Sequence, residues 1–177
     1  MLGSIFNCFE ALVKEEYSEQ TWKTILTKAG QDATVRMFAH RPYEDDTFHK
    51  IYEVACQELK TDKYQLAEAF GKAWMKYASK HYFAFFVARS NAREFVLAMD
   101  RTHTKITDKV ANATPPRFHY KTIDNQTIQM TYDSPRGLGF LMVGVLKAVG
   151  DYFEEKITVE ALDENTAEVT FHTYEGA

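Results

Sequence analysis

The feature that most constrains this chain is a change of hydrophobic period at a pair of prolines. Before it, Phe95, Met99, His103, Ile106 and Val110 recur at steps of four, four, three and four, with Ala92 and Val96 beside the same stripe. That spacing predicts one long amphipathic helix with His103 turned inward. Pro115 and Pro116 in "ATPPR" stop it, because proline lacks the N–H a helix needs and pushes its predecessor to extended geometry. Beyond them the period becomes two: "RFHYKTI", a turn at Asp124-Asn125 and "TIQMTYDS" read as a hairpin. "PRGLGFLMVGVLKAVGDYFEE" then reads as a helix, and "KITVEAL", "DENT" and "AEVTFHTY" as a second hairpin.

Upstream, everything reads as helix. Leu2, Ile5, Phe6, Phe9, Leu12 and Val13 have helical spacing; Ser18 can cap a segment that Gly30 ends. Asp45 or Asp46 can cap "TFHKIYEVACQELK", and Thr61 or Asp62 can cap "KYQLAEAFGKAWMKYASKH". The charges of the "HRPYEDD" loop read as solvated. A helical half followed by ββαββ argues for an α+β fold with an antiparallel sheet, and no linker divides residues 1–177 into two domains.

A chain of 177 residues buries roughly 70% of its unfolded surface, which leaves room for a ligand in the core. With 21 Lys plus Arg against 25 Asp plus Glu and no basic stripe, nucleic acid is not an expected partner. Cys8 and Cys56 stand in no metal or redox pattern, so thiols in a reducing compartment are expected. No apolar run approaches the roughly 20 residues of a spanning helix, and the expectation is a soluble, cytoplasmic protein without membrane contact.

Two features carry chemistry. In "MTYDSPRG", Tyr132, Ser134 and Arg136 leave one face of a strand that also carries Ile128 and Met130. A phenol, a hydroxyl and a guanidinium beside apolar neighbours suit a small apolar ligand with carboxylates at its edge. On spacing alone they also suit a helix cap, a sheet-edge tyrosine and a surface arginine. His103 is likewise either a hydrogen-bonded core residue or a ligand. It has no second ligand at helical spacing, which argues against zinc; one imidazole is enough for haem, whose porphyrin fills the equatorial positions.

In its short N-terminus with Gly3, "MDRTHTK" around His103, "ATPPR" at 113–117 and Tyr-x-Ser-x-Arg at 132, 134 and 136, the chain resembles the haem-nitric oxide/oxygen binding (H-NOX) domains. That family includes the haem domain of soluble guanylate cyclase and stand-alone bacterial gas sensors. The resemblance implies haem b (iron protoporphyrin IX) held between the two halves. His103 would be the proximal iron ligand; Tyr132, Ser134 and Arg136 would hold the propionates, and Pro116 would press on the porphyrin. Ile5, Phe9, Trp74, Leu141 and Val145 would line the distal pocket and haem face, although helical spacing alone makes them ordinary core positions.

Oxygen-binding relatives carry a tyrosine where Leu141 stands, so the resemblance implies a sensor of nitric oxide, with carbon monoxide as a further ligand and poor oxygen binding. Trp74 complicates that, because an indole N–H can donate. The implied mechanism is a switch without turnover: loss of the His103–iron bond on nitric oxide binding, then helix and haem rearrangement. A histidine kinase or a cyclic-di-GMP enzyme would read it. The competing readings are an oxygen sensor of the same fold, a haem-free ligand or protein interaction module, and a haem enzyme.

Overall fold

A computed structural model describes residues 1–108, 110 and 114–173. Ala113 of "ATPPR" and Tyr174, the last residue of the expected final strand, lie outside the described residues. The helices α1 (Gly3–Glu16), α2 (Glu19–Lys28), α3 (Asp45–Leu59), α4 (Lys63–His81), α5 (Phe83–Val87), α6 (Ala92–Leu97) and α7 (Met99–Thr107) come first. Strands β1 (Arg117–Thr122) and β2 (Thr127–Asp133), helix α8 (Gly139–Phe153), and strands β3 (Ile157–Ala161) and β4 (Thr166–Phe171) follow. The fold is α+β.

Local chemistry sets most of these boundaries. Ser18 Oγ accepts the Thr21 N–H at 3.0 Å, and Asp62 Oδ1 accepts the N–H groups of Tyr64 and Gln65 at 2.8 and 3.0 Å. Each such cap stabilises its helix by about 1 kcal/mol. Gly30 ends α2 in the left-handed conformation at φ +72, open to glycine without strain. The expected cap of α3 is a correction: the N-cap is Glu44, with no side-chain cap bond, and Asp45 is bonded elsewhere. A further correction concerns the stripe from Phe95 to Val110, which is not one helix. It breaks at Ala98 into α6 and α7, and the cause is tertiary: the Tyr120 hydroxyl donates to Val96 O at 2.9 Å and accepts the Asp100 N–H at 3.4 Å. Those two groups would have bonded each other in an unbroken helix.

The four strands form an antiparallel sheet in the order β1-β2-β4-β3, with Phe118 opposite Tyr132 and Ile128 opposite Val169. Ile128, Met130 and Tyr132 share its buried face, as the alternation requires. Helix α8 crosses α4 at backbone contact: a Cβ on Gly71 would run into the carbonyl oxygen of Gly144, and one on Gly144 into that of Ala67. This close approach accounts for the glycine in "GLGFLMVG" at 144. Phe9 is fully buried among the rings of Trp22, Phe48, Tyr52 and Phe70.

Candidate functional site

Between the helical half and the sheet lies a cavity of about 540 Å³, a size ordinary for a bound organic cofactor. His103, Met99, Pro116 and Phe118 contribute to its lining, as do Ile5, Trp74, Leu141 and Val145. Tyr132 and Arg136 also reach it. Of the residues singled out in the sequence, Phe9 and Ser134 are not part of the lining.

His103 owes its position to α7. Its Nδ1 lies 2.9 Å from the Met99 carbonyl oxygen, one turn back on the same helix. A carbonyl only accepts, so Nδ1 carries the proton and Nε2 keeps its lone pair. Burial lowers the imidazole pKa, opposed by the Met99 bond and by the charge of Asp100, so the ring is neutral at pH 7. Phe118 packs against the ring, with centroids 5.1 Å apart. A neutral imidazole with a free nitrogen at a cavity wall is a competent metal ligand. Among the described residues, no group of three or more His, Cys, Asp or Glu side chains could hold a bare metal ion. The donor set therefore fits a metal that brings its own equatorial ligands, and not a protein-caged ion.

Tyr132 is 6% exposed and hydrogen-bonded with Ser134; burial is the main cause raising its phenol pKa, so the phenol keeps its proton. Ser134 thus stands one bond behind the lining, and it does not cap α8, whose N-cap is Leu138. The Arg136 side chain is 12% exposed, which excludes a free surface arginine. Its Nε lies 2.9 Å from both Asp45 carboxylate oxygens, and its Nη2 donates to Thr114 Oγ1 at 3.1 Å.

Sequence reasoning missed how this arginine is held. Asp45 was expected as a solvated loop charge or a cap; instead it pairs with Arg136 and with the N-terminal amine at 2.7 Å. One turn on, His49 Nε2 donates to the Arg136 carbonyl at 2.7 Å. The i, i+4 spacing of Asp45 and His49 on α3 was the available signal, but nothing in it names Arg136, 91 residues away. Tyr82 was also missed: it lines the cavity beside Trp74, with ring centroids 6.3 Å apart. Trp74 itself is stacked between Phe70 and Tyr77.

One imidazole with an unprotonated nitrogen, a mainly apolar lining and an arginine paired with Asp45 thus meet at a single cavity. A family model described as haem-NO-binding matches residues 2–161, and the chain belongs to that family. The family is one of haem-based gas sensors related to soluble guanylate cyclase. Soluble guanylate cyclase gcy-32 of Caenorhabditis elegans is 26% identical over 154 residues, 84% of this chain and 22% of the cyclase. The chain thus corresponds to less than a quarter of that relative's length. Among solved structures, an oxygen-binding H-NOX domain related to soluble guanylate cyclases has the same fold, with a TM-score of 0.82 at 21% identity over 98% of this chain and 96% of that one. A Cs H-NOX mutant carrying 4-cyano-L-phenylalanine superposes with a TM-score of 0.88 at 20% identity, covering 100% of both chains.

Proposed function

We propose that residues 1–177 form one haem b-binding sensor domain that responds to nitric oxide at ferrous haem, binds carbon monoxide as well, and binds oxygen poorly. The observation that carries this reading is the His103 imidazole, neutral and with Nε2 unoccupied, on the wall of a cavity whose rim holds Arg136. When bound, haem supplies the iron at which a diatomic gas is taken up. His103 would be the residue that holds that iron, and the protonated Nδ1 on Met99 O fixes the ring's orientation. Arg136 and Tyr132 would bind the acidic edge, Arg136 by sharing or exchanging its Asp45 partner, since a guanidinium has five N–H donors. Ser134 bonds the Tyr132 phenol, and Pro116, which lines the same cavity as His103, would press on the porphyrin.

The wall with Ile5, Leu141 and Val145 offers no donor at those three positions, and this supports nitric oxide over oxygen, because bound oxygen is the more polar ligand and gains more from a hydrogen bond. Trp74 and Tyr82 are the donors that oppose this preference. The output is a conformational change without turnover, so a partner must bind the two states with different affinity. A histidine kinase or a cyclic-di-GMP enzyme fits that requirement. No helix among the described residues is long and apolar enough to cross a membrane, which is consistent with a cytoplasmic location.

The test is a ferrous absorption spectrum of haem-loaded protein before and after each gas. A Soret band that shifts with nitric oxide to a five-coordinate form and does not change in air supports every step; absence of a Soret band after haem loading refutes the reading. Leu141→Tyr should raise oxygen affinity, and an unchanged affinity would assign control to Trp74 or Tyr82.

A further inference from the structure

The break between α6 and α7 lies one residue before Met99, whose carbonyl holds the His103 ring. Ala98 is a good helix former, and neither proline nor glycine occurs between Ala92 and Thr107 to account for a kink. What stands in the ladder is one oxygen atom. The Tyr120 hydroxyl donates to Val96 O at 2.9 Å and accepts the Asp100 N–H at 3.4 Å, so it replaces a backbone bond with a two-bond bridge. Burial pushes this phenol up to about 12, so it carries its proton and serves Val96 as a donor at any ordinary pH.

The same strand grips the start of α7 at two further points. Asp100 accepts from Arg117 Nε and Nη2 at 2.7 and 2.8 Å and from the Phe118 N–H at 2.9 Å. Arg117, Phe118 and Tyr120 are near neighbours on β1, which lies at the edge of the sheet. Asp100 fixes where α7 begins; the Tyr120 oxygen fixes the angle at which it leaves α6. That angle sets the direction of the Met99 carbonyl and, through it, of Nε2 on His103.

We propose that Tyr120 is a positioning residue for the His103 ligand: its hydroxyl, spliced into the backbone between Val96 and Asp100, aims the imidazole and ties α7 to the edge strand. The proposal rests on the haem reading for its purpose but not for its geometry. Without the oxygen, Val96 O and the Asp100 N–H are left to pair directly, the helix closes across Ala98, and His103 swings with α7. Tyr120 does not line the cavity, so its effect on a bound group is through His103.

The experiment compares wild type, Tyr120→Phe and Tyr120→4-aminophenylalanine, the last restoring a donor at the same place. In haem-free protein, hydrogen exchange at the Asp100 amide should slow severalfold in Tyr120→Phe as the direct bond forms, and the ¹⁵N shifts of His103 should move toward a different tautomer balance. In haem-loaded ferrous protein, the iron–histidine stretching band should shift and haem affinity should fall severalfold, with 4-aminophenylalanine returning both toward wild type. An unchanged Asp100 exchange rate and iron–histidine band, with only a lower Tm, would overturn the proposal and leave Tyr120 as a packing residue. Should Tyr120→Phe not fold, Tyr120→3-fluorotyrosine decides: it keeps the oxygen between Val96 and Asp100 but makes it a stronger donor and a weaker acceptor, so a shifted band with altered Asp100 exchange supports the proposal, and an identical band with identical exchange overturns it. Wild-type protein that takes up no haem refutes the functional reading, while the haem-free measurements still decide the role of Tyr120.

Discussion

The wall that carries His103 and the wall that carries Trp74 and Leu141 are held by different forces. Helix α7 fully buries only Thr102, leaves His103 and Ile106 half-buried at the cavity, and is fastened to β1 by Asp100, Arg117 and Tyr120. Helix α8 buries nine residues and lies in backbone contact with α4. Polar bonds at one end of a short helix break one at a time; a close-packed crossing opens only as a whole. The difference makes the imidazole side of the site the easier to displace and the α4–α8 side the harder. Under the proposed function, a change in the bond between His103 and the iron would meet an element able to respond.

The comparison is broken most severely at its mobile end. His103→Gly should abolish stable haem retention, and free imidazole should restore it, because among the described residues that line the cavity His103 alone is a histidine. Haem content after gel filtration, with and without imidazole, measures it. Retention equal to wild type without imidazole would remove His103 as the ligand.

The rigid end is broken by one methyl group. Gly144→Ala places a Cβ against the carbonyl oxygen of Ala67, which is backbone and cannot turn aside. Overpacking of this kind costs about 1–3 kcal/mol, and denaturant unfolding should show it as a lower midpoint. Gly30→Ala is the matched control: nothing lies within 4 Å of a Cβ there, so its cost comes from the φ of +72 alone. Equal losses in the two variants would mean that the α4–α8 crossing is looser than described.

How far the sequence reached follows the same division. Positions set by local chemistry were legible: the caps at Ser18 and Asp62, the strand alternation through Tyr132, and the inward turn of His103 all follow from period and neighbours. The α+β fold followed from the change of period at Pro115 and Pro116. What was not legible depends on partners distant along the chain. Nothing near Ala98 signals a break, because the atom that makes it belongs to Tyr120. Asp45 has the composition of a cap, and only the folded chain brings Arg136 and the N-terminal amine to it. Phe9 shows the converse, since helical spacing gives its burial but cannot say whether a buried ring faces a cavity or other rings.

The subtlest test uses pH on the polar fastening alone. The Arg117 hydrogen bond pulls the Asp100 carboxyl down to about 2; burial opposes it, and the Phe118 N–H and the Arg117 charge add to the lowering. A carboxyl depressed in the folded state stabilises the fold above its ordinary pKa, and that contribution fades as pH falls through the ordinary value toward about 2. Arg117 is 58% exposed, so solvent screening reduces the contribution to about 1 kcal/mol. Asp100→Asn in haem-free protein should be less stable than wild type by about that amount from pH 5 to 7, with the gap closing between pH 4 and about 2. The α4–α8 crossing supplies the contrast: its ion pair, Lys147 with Glu68, is exposed on both sides, so Glu68→Gln should cost little stability. If instead the Asp100 gap persisted unchanged to pH 2, the carboxylate charge would not be what fastens α7, and the polar character assigned to this wall would rest on Tyr120 and the Phe118 amide.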